Sequence, residues 1–429
     1  MKIKKLLRIF LIMVVTLVLT VIVGIFLTAD NGHERELSQL RVVVCVPVYG
    51  QSLALGEEAV MVSKMDSADK ATGGRLYSEH MDKHFGYYTN HGWKRWLRRR
   101  LHTEKRRLET SAFMMAESMA KNLGKDTAVC IVVGGAGATP IAQLDKGSEA
   151  YRLFLEDIRT ACEKANGRGL EFIVPAICWM QGESDMFDYT RVNYAQLLAQ
   201  WATDINRDIR QLTRQKREVK LICYQSSCLS VCWNYDALTP SCYEASIPQA
   251  QMDLVRTNPL FVAGAPTYAY DFVNQRIHLD SYSQQNVGRL HAEAALDILR
   301  GTAGNRGLYP IRHRQEGEKL YVTFNQAVTI DTTHIRPAHL WGFSVVSPQG
   351  ENLAKSVETE DSTIVITCTS DPQGCRLRYG VNGDKDKTGR TDGPRGNIRA
   401  NISNQPPYLY QWCFIFDEKS DTETKYHRQ

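Results

Sequence analysis

The chain has 429 residues, of which 43% are hydrophobic and 23% are charged. These proportions are typical of an ordinary globular protein that can bury a core, and the length predicts one to three domains. The formal net charge of +5 at pH 7 is small for this length. We therefore expect no nucleic-acid partner.

The first predicted element is an apolar segment behind a basic N-terminus. MKIKKLLR (1–8) carries three lysines and an arginine, and residues 9–28 are apolar except for threonines and one glycine. About 20 apolar residues can cross a bilayer, with the basic flank in the cytoplasm. We interpret residues 1–37 as an inner-membrane anchor and linker, with a cleaved signal peptide as the alternative. Both interpretations export the rest of the chain to the periplasmic or cell-envelope side.

Strand-like and helix-like segments alternate between residues 38 and 304. Helical spacing recurs at 111–123, 151–165, 194–209 and 291–299. The strand-like runs are LRVVVCVPV (40–48), TAVCIVV (127–133), FIVPAICWM (172–180), VKLICYQ (219–225) and LFVAGA (260–265). Near-continuous apolar strands separated by helices are typical of a parallel sheet covered on both faces, so we predict a doubly wound α/β domain.

The pattern changes after residue 304. Short alternating segments such as EKLYVTFNQAVTI and STIVITCTS, separated by turn residues, predict a β-sandwich domain over residues 305–416, followed by a mobile tail at 417–429. Cys368 and Cys375 flank a predicted hairpin turn and are candidates for a disulfide in an exported protein. Cys223, Cys228, Cys232 and Cys242 match no common zinc spacing, and no metal is predicted.

Residues 57–107 form a predicted insertion after the first strand. It contains the basic run KRWLRRRLHTEKRR (94–107). A solvated helix face is one interpretation of this run. The alternatives are a binding site for an anionic polysaccharide or for the anionic surface of the inner membrane.

Chemically active residues follow the strands at the edge where doubly wound sheets bind ligands. Ser52 follows the first strand, GGAGATPI (134–141) the second and QGESD (181–185) the third, while His278 lies beyond the fifth. A hydroxyl, an imidazole, carboxylates and exposed amides are the groups that acyl transfer requires. Taken alone, Ser52 could instead cap a helix, and the glycine-rich segment could be a plain turn.

Together these motifs resemble the SGNH (GDSL-type) hydrolases, in particular the carbohydrate esterases that include sialate O-acetylesterases and acetylxylan esterases. The resemblance covers about residues 40–300 and implies a flavodoxin-like fold and hydrolysis of acetyl esters on sugars without a metal or other cofactor. It implies that Ser52 is the nucleophile and His278 the base. It also implies an oxyanion hole formed by the Ser52 amide, by Gly137 or Gly135, and by Gln181.

The acid of the triad departs from the family pattern. Its usual position, three residues before the histidine, is occupied here by Gln275. A glutamine can hold the imidazole ring but cannot stabilise its charge. Some members of the family are thought to take the acid from the QGE motif, which makes Glu183 the first candidate, with Asp280 and Asp271 as alternatives.

These observations predict a carbohydrate esterase that removes O-acetyl groups from sugars or polysaccharides. Two alternatives remain open from the sequence. One is a catalytically impaired SGNH scaffold that binds glycans, because the usual acid is missing. The other is an O-acetylesterase of peptidoglycan or of the cell envelope, which would share the reaction and differ in the substrate.

Overall fold

The computed structural model describes residues 39–72, 75–77, 108–187, 193–232, 246–303 and 306–420. The predicted membrane segment, the basic run 94–107, Cys242 and residues 421–429 lie outside these ranges. Within them, no helix combines the length and the apolar character needed to cross a membrane.

Parallel strands occupy the centre of the N-terminal part of the protein. They are β1 (Val42–Cys45), β2 (Val48–Gly50), β3 (Leu76–Tyr77), β4 (Thr127–Cys130), β5 (Val133–Gly135), β6 (Glu171–Ile173), β7 (Ala176–Met180), β8 (Lys220–Gln225) and β9 (Phe261–Pro266). They pair in the orders β3-β4-β1-β6 and β5-β2-β7-β8-β9. Because β1 and β2, β4 and β5, and β6 and β7 follow each other along the chain, the strand order is flavodoxin-like, and the predicted α/β class is confirmed.

Helices connect these strands and often begin at a capping side chain. They are α1 (Ser52–Leu55), α2 (Met65–Ala71), α3 (Ser111–Asn122), α4 (Glu149–Gly167), α5 (Glu183–Phe187), α6 (Tyr194–Thr213), α7 (Leu229–Cys232), α8 (Ser246–Thr257) and α9 (Ser281–Arg300). Asp280 caps α9 by accepting a hydrogen bond from the Ser283 amide at 2.8 Å. The last helix therefore begins ten residues before the apolar spacing predicted it.

Antiparallel strands form the C-terminal part. They are β10 (Pro310–Glu316), β11 (Lys319–Phe324), β12 (Val328–Ile330), β13 (Phe343–Val346), β14 (Ala354–Glu360), β15 (Thr363–Cys368), β16 (Arg376–Tyr379), β17 (Ile398–Ala400) and β18 (Phe416–Lys419). They pair as β10-β11-β15-β14, β13-β16-β18 and β12-β17. Residues 417–420, predicted as the start of a mobile tail, instead belong to this part. Asp417 is buried there and accepts hydrogen bonds from Arg376 and Arg378.

Buried hydrogen bonds join the two parts. The side-chain amide of Gln225, at the end of β8, donates to the Ile415 carbonyl at 2.8 Å and accepts from the Ile415 amide at 2.6 Å. The Tyr268 hydroxyl donates to the Cys413 carbonyl at 2.7 Å. Since these polar groups are sealed from water, separating the two parts would leave them unpaired.

The described cysteines are buried thiols. Cys368 and Cys375 are not bonded to each other, so the disulfide considered from the sequence is absent. Burial, with a smaller contribution from Cys375, raises the pKa of Cys368 to about 11. Cys223 and Cys228 are also buried and belong to no disulfide among the described residues. Among the described residues, no three histidine, cysteine, aspartate or glutamate side chains are grouped as metal ligands are.

His291 makes stability depend on pH. It is fully buried on α9, neither ring nitrogen has a hydrogen-bond partner among the described residues, and burial lowers its pKa to about 3. An unfolded histidine titrates near pH 6.5. Below that pH the unfolded chain therefore binds a proton at this residue, whereas the folded chain does not. We expect the free energy of unfolding to fall as the pH drops from about 6.5 towards 3, by up to about 1.4 kcal/mol per pH unit from this residue.

Urea denaturation of the wild type and of His291→Leu at several values between pH 7 and 4.5 measures this contribution. The variant should show a shallower loss of stability towards low pH, because leucine does not titrate. Parallel curves for the two proteins would contradict the assignment.

Candidate active site

Ser52 lies at the carboxyl edge of the parallel sheet. It is the first residue of α1, directly after β2, and its side chain is almost fully buried. The helix cap is Gln51, so the interpretation of Ser52 as the capping residue is wrong. Glycine is required at position 50, because a Cβ there would lie 1.9 Å from the Met180 carbonyl oxygen. This close approach of β2 to β7 fixes where the serine emerges.

His278 contacts both the serine and a carboxylate. Its Nε2 lies 2.9 Å from Ser52 Oγ, and its Nδ1 lies 2.8 Å from Oε2 of Glu58. With the hydrogen on Nδ1 donated to Glu58, Nε2 is free to accept the hydroxyl proton of Ser52. The three side chains therefore form a continuous serine–imidazole–carboxylate chain.

The loop that carries Glu58 leaves α1 through a left-handed turn. Gly56 ends the helix at φ +73, and Glu58 itself has φ +64. The fully buried carboxylate of Glu109 accepts hydrogen bonds from the Val62 and Ser63 amides, both at 2.7 Å, and thereby fixes the far end of the loop.

A second contact joins this loop to the histidine segment. The hydroxyl of Ser281, three residues after His278, donates to the Val60 carbonyl at 2.6 Å. The distance between Glu58 and the ring is therefore fixed from both sides.

The histidine lies at the end of a narrow loop between β9 and α9. The Val273 amide donates to the His278 carbonyl at 2.8 Å, and the Asp280 amide donates to the Asp271 carbonyl at 3.1 Å. At the tip, Asn274 and Gln275 have φ +53 and +56. This backbone conformation is uncommon outside glycine, so neighbouring contacts are needed to maintain it.

The carboxylate that contacts the His278 ring is Glu58, and none of the three predicted acids does so. Glu183 is buried, and its Oε2 accepts a hydrogen bond from the Tyr224 hydroxyl rather than from the ring. Burial raises the pKa of Glu183. Asp280 is occupied as the cap of α9, and Asp271 pairs with Arg390. The two ring nitrogens are engaged by Ser52 and Glu58, so none of the three candidates orients the imidazole.

The predicted oxyanion donors of the backbone lie on different elements. The Ser52 amide belongs to the first turn of α1, where amides have no carbonyl partner within the helix. Gly135 ends β5 and pairs with Gly50. Gly137 lies beside a second carboxylate, because a Cβ there would be 2.5 Å from Oε1 of Glu57.

The side-chain amide of Gln181, a predicted oxyanion donor, is hydrogen-bonded to other residues. Its side-chain nitrogen donates to the Asp185 carboxylate and, at 3.3 Å, to the Thr139 carbonyl, while its oxygen accepts from the Tyr194 hydroxyl at 3.0 Å. The amide hydrogens expected at the reacting carbonyl are thus used to fix the glycine-rich segment against α5.

Comparison with known proteins identifies the family. Residues 80–297, about half of the chain, match the family described as carbohydrate esterase, sialic acid-specific acetylesterase. The match includes Gln181, Glu183 and His278 but begins after Ser52 and Glu58. No curated protein matches the sequence.

A comparison of structures finds similar proteins, of which XAC1771 shares the fold. XAC1771, described as a novel carbohydrate acetylesterase from Xanthomonas citri, is 14% identical with a TM-score of 0.56, and the match covers 88% of this chain and 81% of that one. NanS is 15% identical with a TM-score of 0.41, and its match covers 61% of this chain and 98% of that one. On the strength of the family match, the chain belongs to the carbohydrate esterase family of sialic acid-specific acetylesterases.

Proposed function

We propose that this carbohydrate esterase removes O-acetyl groups from sugars or polysaccharides with Ser52 as its nucleophile. The observation that carries the proposal is the unbroken contact from Ser52 Oγ through the His278 ring to the Glu58 carboxylate, at 2.9 and 2.8 Å. Serine alone is a weak nucleophile, and an adjacent oriented base is what activates it. Family membership supplies the class of substrate.

The reaction runs in two halves. Ser52 Oγ attacks the acetyl carbonyl while its proton passes to Nε2 of His278, and Glu58 stabilises the resulting imidazolium. The tetrahedral intermediate then expels the sugar oxygen, which takes the proton from the ring, and the acetyl group remains on Ser52. Water, deprotonated by the same imidazole, attacks this ester and releases acetate.

The negative oxygen of each intermediate needs hydrogen-bond donors. We assign this role to the backbone amides of Ser52 and Gly137, since Gln181 is engaged elsewhere. One such donor typically contributes about 10²- to 10³-fold to kcat.

Labelling with a fluorophosphonate probe tests the proposal. The purified protein should hydrolyse 4-nitrophenyl acetate, and peptide mass spectrometry should find the probe on Ser52, with activity lost in proportion to labelling. Full turnover by protein whose Ser52 is labelled would contradict the assignment. Acetate release from acetylated xylan, O-acetylated sialic acid and O-acetylated peptidoglycan then separates the glycan classes.

The contact with Glu58 supports the enzyme over the alternative of an impaired glycan-binding scaffold. That alternative depended on a histidine without a carboxylate partner. Because Glu58 supplies the partner that Gln275 cannot, we do not propose a binding-only role.

For localisation, we propose that residues 9–28 anchor the chain in the inner membrane and that the esterase faces the periplasm or the cell envelope. We expect a chain of residues 30–429 to stay in the supernatant after ultracentrifugation, whereas the full chain sediments with membranes and resists high salt. Sedimentation of the shortened chain in high salt would contradict this proposal. Its release by salt would instead indicate surface binding through the basic run 94–107.

A further inference from the structure

A segment of the C-terminal part lies directly on the loop that carries His278. The amide of Thr388 donates to the Gln275 carbonyl at 2.9 Å, and the amide of Arg390 donates to the Tyr270 carbonyl at 3.1 Å. The guanidinium of Arg390 also reaches both oxygens of Asp271, with Nε at 2.9 Å and Nη2 at 2.5 Å. The segment therefore holds both the tip and the base of the loop.

Gly389 allows this segment to lie close to the start of the histidine loop. It has φ +97, and a Cβ at this position would lie 2.7 Å from the Tyr270 carbonyl oxygen and 3.1 Å from the Phe272 ring. On its other side the segment is held by Ser230, whose hydroxyl donates to the Lys387 carbonyl and accepts from the Lys387 amide at 3.1 Å. Residues 387–390 are thus fixed between two parts of the α/β region.

The histidine loop needs such a contact. Its tip contains Asn274 and Gln275, both at positive φ, a conformation that costs of order 1–3 kcal/mol for non-glycine residues and persists only where the surroundings enforce it. The Thr388 bond falls on Gln275 itself. The bond between the Val273 amide and the His278 carbonyl then relates the conformation of the tip to the position of the histidine.

We infer that residues 387–390 position the catalytic histidine, so that the C-terminal part contributes to catalysis by holding the loop that carries His278. This inference rests on the proposed function. In the resembling family, position 275 would carry the triad acid. Here the acid function passes to Glu58, and position 275 becomes the attachment point of the C-terminal segment.

A matched pair of glycine substitutions tests the inference. Gly389→Ala adds a methyl group against Tyr270. Gly374→Ala, at φ +74, adds one where no atom of the described part of the chain lies within 4 Å. Both changes strain the backbone, but only the first displaces the loop. We expect Gly389→Ala to lower kcat for 4-nitrophenyl acetate about tenfold or more and to slow labelling of Ser52 to the same extent. KM should change by less than about threefold, and Gly374→Ala should leave both rates within about twofold of wild type.

Arg390→Gln provides the second variant, since it removes the ion pair with Asp271 without adding bulk. We expect Arg390→Gln to lower kcat by about threefold to tenfold. The kcat of Arg390→Lys should lie between those of the wild type and of Arg390→Gln, because lysine keeps the positive charge but cannot donate to both Asp271 oxygens as the guanidinium does. If Gly389→Ala does not fold, Arg390→Gln decides the outcome.

Normal kcat and labelling in both variants, accompanied only by a lower melting temperature, would overturn the inference and leave the proposed function standing. A wild-type protein that shows no labelling at Ser52 would instead overturn the proposed function and the inference with it. The two failures are therefore distinguishable in one set of measurements.

Discussion

Replacing Ser52 by alanine is expected to abolish hydrolysis of acetyl esters while the fold stays intact. The side chain is buried, and its hydroxyl contacts Nε2 of His278 at 2.9 Å. Alanine fits the same space and removes only the attacking oxygen. The covalent route is then lost, and a serine hydrolase that loses its nucleophile typically loses about 10³- to 10⁶-fold in kcat.

Turnover of 4-nitrophenyl acetate, together with a thermal melt, measures this effect. Ser111→Ala is a suitable control, because it also deletes a buried hydroxyl, one whose contact is the Met180 sulfur at 3.3 Å. It should leave kcat within about threefold of wild type. If Ser52→Ala kept more than about a tenth of the wild-type kcat, Ser52 would not be the nucleophile.

The second large effect is expected at Glu58. Glu58→Gln keeps the shape of the side chain but removes the charge that stabilises the imidazolium. We expect kcat to fall by about 10²- to 10⁴-fold with little change in KM, since the loss is confined to the transition state. The Glu58 side chain is 57% exposed, so water can replace part of its effect, and the lower end of that range is the better expectation.

Two further carboxylates serve as controls for Glu58. Glu183→Gln changes a buried group that contacts Tyr224, and Glu57→Gln changes the adjacent carboxylate beside Gly137. Both should leave kcat within about tenfold of wild type, and Glu58→Asp should recover part of the activity. A severe loss in Glu183→Gln combined with near-normal Glu58→Gln would return the role of the acid to the QGE motif.

The sheet and the serine–histidine pair follow from patterns that are local in sequence. Buried parallel strands are apolar throughout, so each could be recognised from its own residues, and their carboxyl ends meet at one edge. This is why Ser52 and His278 lie in contact although 226 positions separate them. The antiparallel region was also predictable from a local pattern, namely short alternating segments separated by turn residues.

The carboxylate partner of His278 was not predictable because nothing local in the sequence indicates it. Glu58 lies on an irregular loop, largely exposed and at positive φ, where neither hydrophobic periodicity nor a strand end marks it. Its contact with His278 depends on how Gly56, Glu109 and Ser281 fold the loop back. The start of the predicted tail was wrong because the two acidic residues of β18 pair with arginines that are distant in sequence. Asp417 pairs with Arg376 and Arg378, and Glu418 pairs with Arg256.

The position of β18 and the residues just before it has a consequence for biosynthesis. The side-chain oxygens of Gln225, which is fully buried, and of Gln249, which is partly buried, accept hydrogen bonds from the backbone amides of Ile415 and Asp417, at 2.6 and 2.8 Å. A ribosome makes those partners 190 residues after Gln225 and 168 residues after Gln249. A buried polar group left unpaired costs about 1–3 kcal/mol. Final packing of these two glutamine side chains must therefore await synthesis of β18 and of the residues just before it.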